Sequence, residues 1–353
     1  MNRKRILVSI AVIGSLAAFT LAAGAQGDSG NSDSEPDSKA TSSLASLPID
    51  RSLRLDGGLS LDGVDTLQDH PSPTQDRSEP NVSSDRPVDF KSLLMPRFDF
   101  SAEREPRADG FAISSYDFSV QMPIYPIYGP PPPFIMAGYT FTQIDAPATI
   151  DLPQDLHEFS IGMAWMRKIN DNWMARLTLN GVFASDLNNN SSDAWQVRAG
   201  GFAIYRPNKQ WSFAFGALAT GRDDIPVIPA IGAIWEPSPE LRVNLMLPNP
   251  KIAFLLADSG TRQHWGYFGG GISGGTWAFD RSSGLSDRLS YHEWRLVLGW
   301  ESRSPQLPGT FRPIGTTFNV EAGYVFGREF EFDSASPDIS IDDALLLRMG
   351  IKF

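Results

Sequence analysis

The most regular feature of this chain is a two-residue alternation of apolar and polar side chains from residue 97 onward. In the segment NWMARLTLNGVFA, Trp173 and Leu177 fall on one face of an extended chain, and Arg176 and Asn180 fall on the other. Successive side chains of a β-strand point to opposite faces, so this period predicts strands. Helical periodicity is nearly absent, and the pattern favours an all-β fold.

Turn signals divide this region into about fourteen strands, within a range of about 12 to 16. The connections alternate between tight turns such as INDN, RPNKQ and EPSPE and generally longer polar loops such as SDLNNNSSD and DRSSGLSD. Short turns at one rim and long loops at the other are typical of bacterial outer-membrane barrels. The predicted strands are 97–103, 112–122, 134–143, 157–168, 173–184, 194–205, 211–220, 227–235, 241–247, 251–258, 263–279, 288–300, 316–327 and 343–353.

The chain ends on one of these strands, ALLLRMGIKF. Its polar face carries Arg348 and Lys352, which favours an apolar face against lipid and a polar face against a lumen. An open sheet edge in hydrocarbon would leave backbone N–H and C=O groups unpaired, so the first and last strands must pair. We therefore predict a closed antiparallel transmembrane β-barrel. The apolar face of the last strand consists of Leu345, Leu347, Met349, Ile351 and Phe353.

A soluble β-sandwich would show the same alternation, and strand length separates the two classes. Sandwich strands usually have about five or six residues. Several segments here run for about nine to twelve residues, the length that crosses a bilayer at a tilt. Trp and Tyr also occur at strand ends, as in the aromatic girdles of membrane proteins. Strand length therefore favours the membrane barrel.

The N-terminus carries an export pattern. A cationic NRKR segment precedes an apolar run from Ile6 to Leu21, and Ala23 and Ala25 fit a small-residue cleavage site. The apolar run is shorter than the roughly 20 residues of a spanning helix. The following text is rich in Ser, Asp and Pro and too polar to form a core. We predict a signal peptide at 1–25, a disordered periplasmic tether at 26–96 and a barrel at 97–353.

Composition excludes several functional classes. The chain has no cysteine, which rules out disulfides, thiolate metal sites, a cysteine nucleophile and a lipid-modified cysteine. The formal net charge is −11, and removing the signal cations Arg3, Lys4 and Arg5 leaves −11 − 3 = −14. Such an acidic chain is a poor candidate for binding nucleic acid.

Two stretches carry a family resemblance. Phe353, with apolar residues at alternate positions before it, resembles the C-terminal signature of bacterial outer-membrane barrels, although Ile351 stands where Tyr is common. The segments LRVNLMLPNPKIAFLLAD and GYFGGGISGGTWAF are similar to an uncharacterised outer-membrane barrel family of planctomycete-type bacteria. The resemblance covers about 97–353. It implies location in the cell outer membrane, contact with its lipid and recognition by the barrel-assembly machinery, and it implies no substrate or cofactor.

The polar face of the predicted barrel supplies candidate lumen-lining residues. On one interpretation they line a wet pore and tune which ions pass. On the other, opposite charges pair and fill a narrow lumen, which is open to a barrel between the filled eight-stranded and the porous sixteen-stranded kinds. The sequence leaves both interpretations open. These residues are Arg176, Asn180, Arg198, Arg242, Glu293, Arg295, Glu321 and Arg348.

Catalytic and metal-binding patterns are weak. Beyond the tether, His157, His264 and His292 show no H-x-x-x-H or H-E-x-x-H spacing, and Glu293 beside His292 faces the opposite side of a strand. GISGG satisfies G-x-S-x-G, but no helix follows it, and a bend or bulge over 269–275 explains these glycines better. The acidic loops read as solvated charge. We therefore predict no enzyme, no cofactor and no metal site.

These observations support three functional hypotheses. The first is a passive outer-membrane channel for small solutes or ions. The alternative is a non-conducting structural or adhesive barrel that binds the cell wall or a protein partner, with the tether as one means of reaching them. The third is a lipid-acting barrel enzyme. Conductance separates the first from the other two.

Overall fold

The computed structural model describes residues 96–124, 133–222, 226–305, 315–334 and 336–353. The predicted signal peptide and, apart from Pro96, the predicted tether lie outside these residues. No helix within the described ranges is long and apolar enough to cross a membrane.

The described residues form strands almost throughout, as the alternation predicts. A single 3-10 turn at Ser192–Ala194 precedes β6. The strands are β1 (Arg97–Ala108), β2 (Phe111–Pro123), β3 (Phe134–Asp145), β4 (Asp155–Lys168), β5 (Trp173–Ser185), β6 (Trp195–Tyr205), β7 (Trp211–Ala219), β8 (Val227–Ser238), β9 (Leu241–Asn244), β10 (Lys251–Asp258), β11 (Gln263–Asp280), β12 (Ser286–Arg303), β13 (Thr317–Phe332), β14 (Ile339–Ile341) and β15 (Ala344–Lys352).

Fourteen of these strands close into one antiparallel barrel. Each pairs with its neighbours along the chain, and β1 pairs with β15 from Asp99↔Lys352 to Arg104↔Leu347. The short β14 pairs with β13 in the connection between β13 and β15. The predicted closed, all-β barrel of about fourteen strands is confirmed.

The two rims differ, as the connection lengths predict. The described turns at the rim that holds Arg97 and Phe353 are short, such as 169–172 and 239–240. Longer connections, such as 146–154 and 333–343, lie at the opposite rim. We call these the turn rim and the loop rim. At the loop rim β1, β12 and β13 extend beyond their predicted ends, because they continue above the membrane-facing wall and pack against one another there.

The outer surface of the wall is apolar and exposed. On β15, Leu345, Leu347 and Met349 are 65%, 57% and 56% exposed, whereas Leu346 and Arg348 between them are buried. Outward Phe, Ile, Leu, Val and Trp side chains continue this surface around the other strands, and we call it the apolar belt. Soluble monomers rarely leave so large a contiguous patch uncovered. Lipid is the solvent that such a surface fits.

Apolar side chains also fill much of the interior. One cluster lines the inner face of β5 to β9, and its buried members are Met174, Phe202, Ile204, Ala214, Leu218, Ile228, Ala230, Ile234 and Met246. A second lies toward the loop rim, and we call it the seal cluster. Its buried members are Phe111, Ile113, Ile144, Leu156, Val182, Ala184, Trp277, Phe279, Leu289, Tyr291, Phe330 and Ile341. The inner face is therefore less polar than the alternation alone suggests.

The face assignment of β15 predicts opposite effects for two adjacent substitutions. Leu347→Arg puts a cation against acyl chains and should lower the free energy of unfolding by about 2–4 kcal/mol near the bilayer midplane. Arg348→Leu should still fold, because each acidic partner of Arg348 keeps another partner. Unfolding in lipid vesicles measures both effects. A tolerated Leu347→Arg with an unfolded Arg348→Leu would show inverted faces.

The terminal aromatic residue predicts an assembly defect. Phe353 closes the barrel seam by donating its N–H to the carbonyl of Phe98 (2.9 Å) and accepting the N–H of Phe98 (3.4 Å). The residue remains 60% exposed. Deleting Phe353 should reduce insertion into the outer membrane while export continues, measured as heat-modifiable folded protein. Phe353→Ala keeps the backbone bonds. An equal defect in that variant assigns the effect to the ring, and normal insertion of both variants would contradict the predicted terminal signature.

Candidate functional site

The structure places all eight candidate lumen residues on the inner face of the wall. Seven are buried, and Arg242 is partly exposed. They separate into two groups on different parts of the wall. Glu293, Arg295, Glu321 and Arg348 lie together on β12, β13 and β15, and the remaining four lie on β5, β6 and β9.

The first group belongs to a larger network that we call the charged ladder. It begins at Arg295, whose two terminal nitrogens donate to both carboxylate oxygens of Glu103 at 3.0 Å. The Nε atom of Arg295 donates to Glu293 Oε1 at 2.6 Å. Bidentate guanidinium–carboxylate pairs fix both partners in orientation as well as in charge. The members of the ladder are Glu103, Glu105, Glu293, Arg295, Glu321, Arg328 and Arg348.

The upper part of the ladder is centred on Arg328, which is fully buried. Its Nη2 donates to Glu105 Oε2 at 2.8 Å and its Nη1 to the carbonyl of Asp342 at 2.8 Å. Its Nε donates to the hydroxyl of Tyr291 at 3.0 Å, and that hydroxyl donates to Glu293 Oε2 at 2.6 Å. The network thus ties β1 to β12 and β13 across the interior.

The lower part is looser. Arg348 lies 3.9 Å from Glu103 and 3.7 Å from Glu321, and Tyr267 donates its hydroxyl to Glu321 at 2.7 Å. The ammonium of Lys251 lies 3.8 Å from the centre of the Tyr267 ring, within cation–π range. Four ladder carboxylates therefore face three guanidiniums, with Lys251 as a nearby fourth cation. The charges nearly balance, which favours the pairing interpretation of the inward charges.

The sequence did not identify every member of the ladder. Glu105 and Arg328 lie beyond the predicted ends of β1 and β13, and the extension of both strands brings them inside. Glu103 was the last residue of its predicted strand, and only the pairing of β1 with β15 brings it near Arg348. Extending the predicted first strand by two residues would have placed Glu105 on the same face as Glu103.

A second ion pair lies on the opposite wall. Its neighbour Gln196 extends the hydrogen bonding across the interior. Arg198 donates to both oxygens of Glu158 at 2.9 and 3.0 Å, and to Gln196 Oε1 at 2.7 Å. The side-chain nitrogen of Gln196 donates to the carbonyl of Thr276 on β11 at 2.8 Å. β11, which is not a neighbour of β6 in the sheet, is therefore in direct contact with it.

This contact arises because the upper part of β11 crosses the barrel. Ladder pairing of β11 with β10 ends at Lys251↔Gly269, and β11 later pairs in parallel with β5 at Ala278↔Ser185. All residues from Ser273 to Phe279 are buried, on both faces of the strand. The bend predicted over 269–275 coincides with this departure, and Gly274 has φ +143°. We call residues 274–292, which lie on the loop-rim side of the pair Ser273↔Glu293 of β11 and β12, the crossing hairpin.

The crossing hairpin packs into the barrel interior at the loop rim. It contributes Trp277, Phe279 and Leu289 to the seal cluster, and Asn189 of the β5–β6 connection donates to the carbonyl of Phe279 at 3.1 Å. Burying a large apolar side chain gains about 1.5–3 kcal/mol relative to leaving it in water, so the burial of these three side chains favours the packed arrangement.

A polar pocket lies beside the lower part of the ladder. Its lining includes Lys251, Arg295 and Arg348 as well as Glu321. Gly271 also lines the pocket, and a Cβ there would collide with the side chain of Asn249, another lining residue. Its cavity volume of ≈ 30 Å³ has room for water but not for a small-molecule ligand.

The three described histidines have different surroundings. His157 accepts or donates a hydrogen bond with the hydroxyl of Tyr139 at 2.9 Å, and the ring of His264 stacks on Trp300. His292 lies on the outer face between Glu329 and Glu331, whereas Glu293 points inward as predicted. Linear spacing could not show this group, because it is assembled by the pairing of β12 with β13.

Ser273 of the GISGG motif is fully buried in an extended strand. A nucleophile elbow requires a strand-to-helix turn that exposes the serine, so this context does not support one. The prediction that the glycines serve the backbone path of β11 agrees with this placement.

The ladder predicts an asymmetric response to the loss of arginine. Arg295→Met leaves Glu103 and Glu293 with fewer partners in the interior and should lower the free energy of unfolding by about 3–5 kcal/mol. As a matched control, Arg107→Met removes an exposed ion pair with Asp145 and should cost no more than about 1 kcal/mol. Chemical unfolding in detergent measures both. Equal costs would contradict a structural role for the ladder.

Comparison with known proteins gives a family match and distant fold similarities. Residues 135–259 match the family described as Domain of unknown function (DUF6268). No curated protein matches the chain. Among solved structures, similar chains include an outer membrane channel from Pseudomonas putida F1, with 10% identity, a TM-score of 0.36 and coverage of 78% of this chain and 100% of that one.

Two further structures illustrate the range. A bacterial polysaccharide outer membrane secretin shows 10% identity and a TM-score of 0.40 over 74% of this chain and 98% of that one. LpxR from Salmonella typhimurium shows 9% identity and a TM-score of 0.34 over 73% of this chain and 99% of that one. Identities and TM-scores this low assign no function. The residues that match DUF6268, 135–259, form part of a closed fourteen-stranded barrel.

Proposed function

We propose that this protein is an integral outer-membrane barrel that seals its own lumen and serves as a structural anchor. The observation that carries the proposal is the crossing hairpin, which joins β11 to β5 and contributes three apolar side chains to the seal cluster. Opening the lumen at this rim would expose these side chains to water, which their burial opposes. A membrane barrel that is closed at one rim is better suited to anchoring a partner at the membrane than to passing solutes.

The membrane part of the proposal is supported by the apolar belt and by the rims. Closed barrels satisfy every backbone group without water, which is the condition for a sheet in hydrocarbon. Short turns at one rim and longer loops at the other fit the outer membrane, and the export pattern at the N-terminus fits the same destination. On this proposal the turn rim faces the periplasm.

The anchoring role is supported by the position of Arg97. The predicted tether joins the barrel there, at the turn rim and beside the seam of β1 with β15. A tether at the periplasmic rim reaches the cell wall or a periplasmic protein, which are the partners that this proposal requires. The charged ladder contributes rigidity, since its carboxylates and guanidiniums are directed at one another.

A passive channel for small solutes is the second candidate, and the pocket beside Lys251 favours it. The pocket lies on the inner face, and its cations and Glu321 give it the polar lining that a solute path needs. Conduction on this hypothesis requires movement of the crossing hairpin. The lipid-acting enzyme hypothesis has no supporting arrangement among the described residues.

The two candidates differ in planar bilayers. Folded protein should give no single-channel steps, because the seal cluster blocks the loop rim. Replacing residues 274–292 with an Asn-Gly turn removes the crossing hairpin at the pair Ser273↔Glu293 and should produce steps. Steps from the unaltered protein would support the channel and overturn the sealed barrel.

A matched deletion controls for damage to the hairpin. Residues 282–285 form its exposed tip and do not belong to the seal cluster. Shortening the tip should leave the bilayer current at baseline, with the same heat-modifiable gel shift as the unaltered protein. Steps from the tip variant would show that the seal depends on the loops rather than on the apolar core.

A further inference from the structure

The apolar belt ends abruptly on the outer face of β12. From the turn rim upward, this face carries Trp300, Leu298, Leu296 and Trp294, which are 36%, 66%, 46% and 48% exposed. The next outward residue is His292. Tryptophan rings prefer the boundary between hydrocarbon and headgroups, so Trp294 marks the loop-side edge of the apolar belt on this strand. His292 therefore lies just above the hydrocarbon, at the level of the lipid headgroups.

A bulge brings two carboxylates to the same place on β13. Below it, Tyr324 points outward and Val325 inward; above it, Arg328 and Phe330 point inward. The register shifts between His292 and Trp294 of the partner strand, so the outward parity of β13 changes from even to odd residue numbers. An extra residue in one strand has this effect. Glu329 and Glu331 consequently face outward beside His292 instead of entering the barrel.

The three side chains converge at ligand distances. His292 Nε2 lies 3.5 Å from Glu329 Oε2, and His292 Nδ1 lies 3.6 Å from Glu331 Oε1. One candidate ligand atom from each residue lies within 4.8 Å of the others. Zinc bonds to nitrogen and carboxylate oxygen measure about 2.0–2.2 Å, so a small contraction of this group would surround one ion.

One nitrogen of the group, His292 Nδ1, lacks a hydrogen-bond partner. This nitrogen is buried, and Glu331 lies just beyond hydrogen-bond reach. A buried polar atom without a partner destabilises the folded state. A metal ion bound to the imidazole would remove this cost. The carboxylates keep the group open to the outside, because the Glu329 and Glu331 side chains are 40% and 36% exposed.

We propose that His292, Glu329 and Glu331 form a divalent transition-metal site on the outer wall, at the loop-side edge of the apolar belt. The donor set of one imidazole and two carboxylates fits zinc. Calcium and magnesium favour all-oxygen sets, and calcium takes six to eight ligands. The bound ion joins β12 to β13 at the base of the crossing hairpin, whose last residue on β12 is His292, and keeps coordination positions open toward the headgroup layer. The site does not depend on whether the lumen conducts.

The competing account is an ion pair without metal, in which a protonated His292 lies between the two carboxylates. Both accounts place the same atoms together, and they differ in what binds. A metal site takes up zinc stoichiometrically. An ion pair takes up none.

Titration calorimetry on the folded, chelator-treated full barrel tests the proposal, with zinc chloride and magnesium chloride as the probes. We expect one saturable zinc site per chain and much weaker magnesium binding. His292→Gln and Glu329→Gln should each weaken zinc binding at least about tenfold. His264→Gln is the matched control, because His264 is also an outer-wall histidine but stacks on Trp300. That variant should bind zinc as the unaltered protein does.

Two results would overturn the metal site. One is the absence of saturable zinc binding by folded protein, which would leave the ion pair. The other is equal zinc binding by the unaltered protein and by His292→Gln, which would place the ion elsewhere. The heat-modifiable gel shift establishes that each variant is folded before titration. X-ray absorption at the zinc edge then reports whether one nitrogen and carboxylate oxygens surround the ion.

Discussion

Backbone hydrogen bonding in hydrocarbon is the constraint from which this structure follows. Peptide groups that face lipid find no water, so every strand needs two neighbours, and the last strand must return to the first. The seam between β1 and β15 meets this requirement down to the final residue, where Phe353 and Phe98 exchange backbone bonds. Once the wall is closed in this way, the two faces of each strand have different solvents. The outward residues are selected for lipid, and the inward residues must satisfy one another.

The interior meets that second requirement by two means at different positions. Along β1, β12, β13 and β15, buried carboxylates and guanidiniums pair with good geometry, as at Arg295 and Glu103. Along β5 to β9 and beneath the crossing hairpin, the inward residues are apolar and pack as a soluble core does. Buried ion pairs add little stability beyond apolar packing, and their loss is costly because a single charge remains. The ladder is therefore better understood as fixing the arrangement of strands, with the apolar clusters supplying most of the stabilisation.

The parts of the structure that alternation determines could be predicted from the sequence. The strand number, the closure and the faces of residues such as Leu347 and Arg348 follow from a period of two. Features that depend on a break in the period could not be predicted. The bulge near Gly327 reverses the facing of Glu329, and the departure of β11 from β10 buries both faces of a strand that alternates normally in sequence. Pairing across strands likewise lies outside linear spacing, which is why the surroundings of His292 became visible only in the fold.

The wall of this barrel is uneven in height. β9 and β10 span only Leu241–Asn244 and Lys251–Asp258, whereas their neighbour β11 continues to Asp280. A bilayer beside a low wall must thin, or the barrel must tilt until the low side is covered, and each adjustment costs a fraction of a kcal/mol per Å of mismatch. We therefore expect the barrel axis to have a preferred tilt and the protein to have a preferred membrane thickness. Lipids of matching length would gather at its low side, so that the two sides of the barrel would differ in their lipid neighbours.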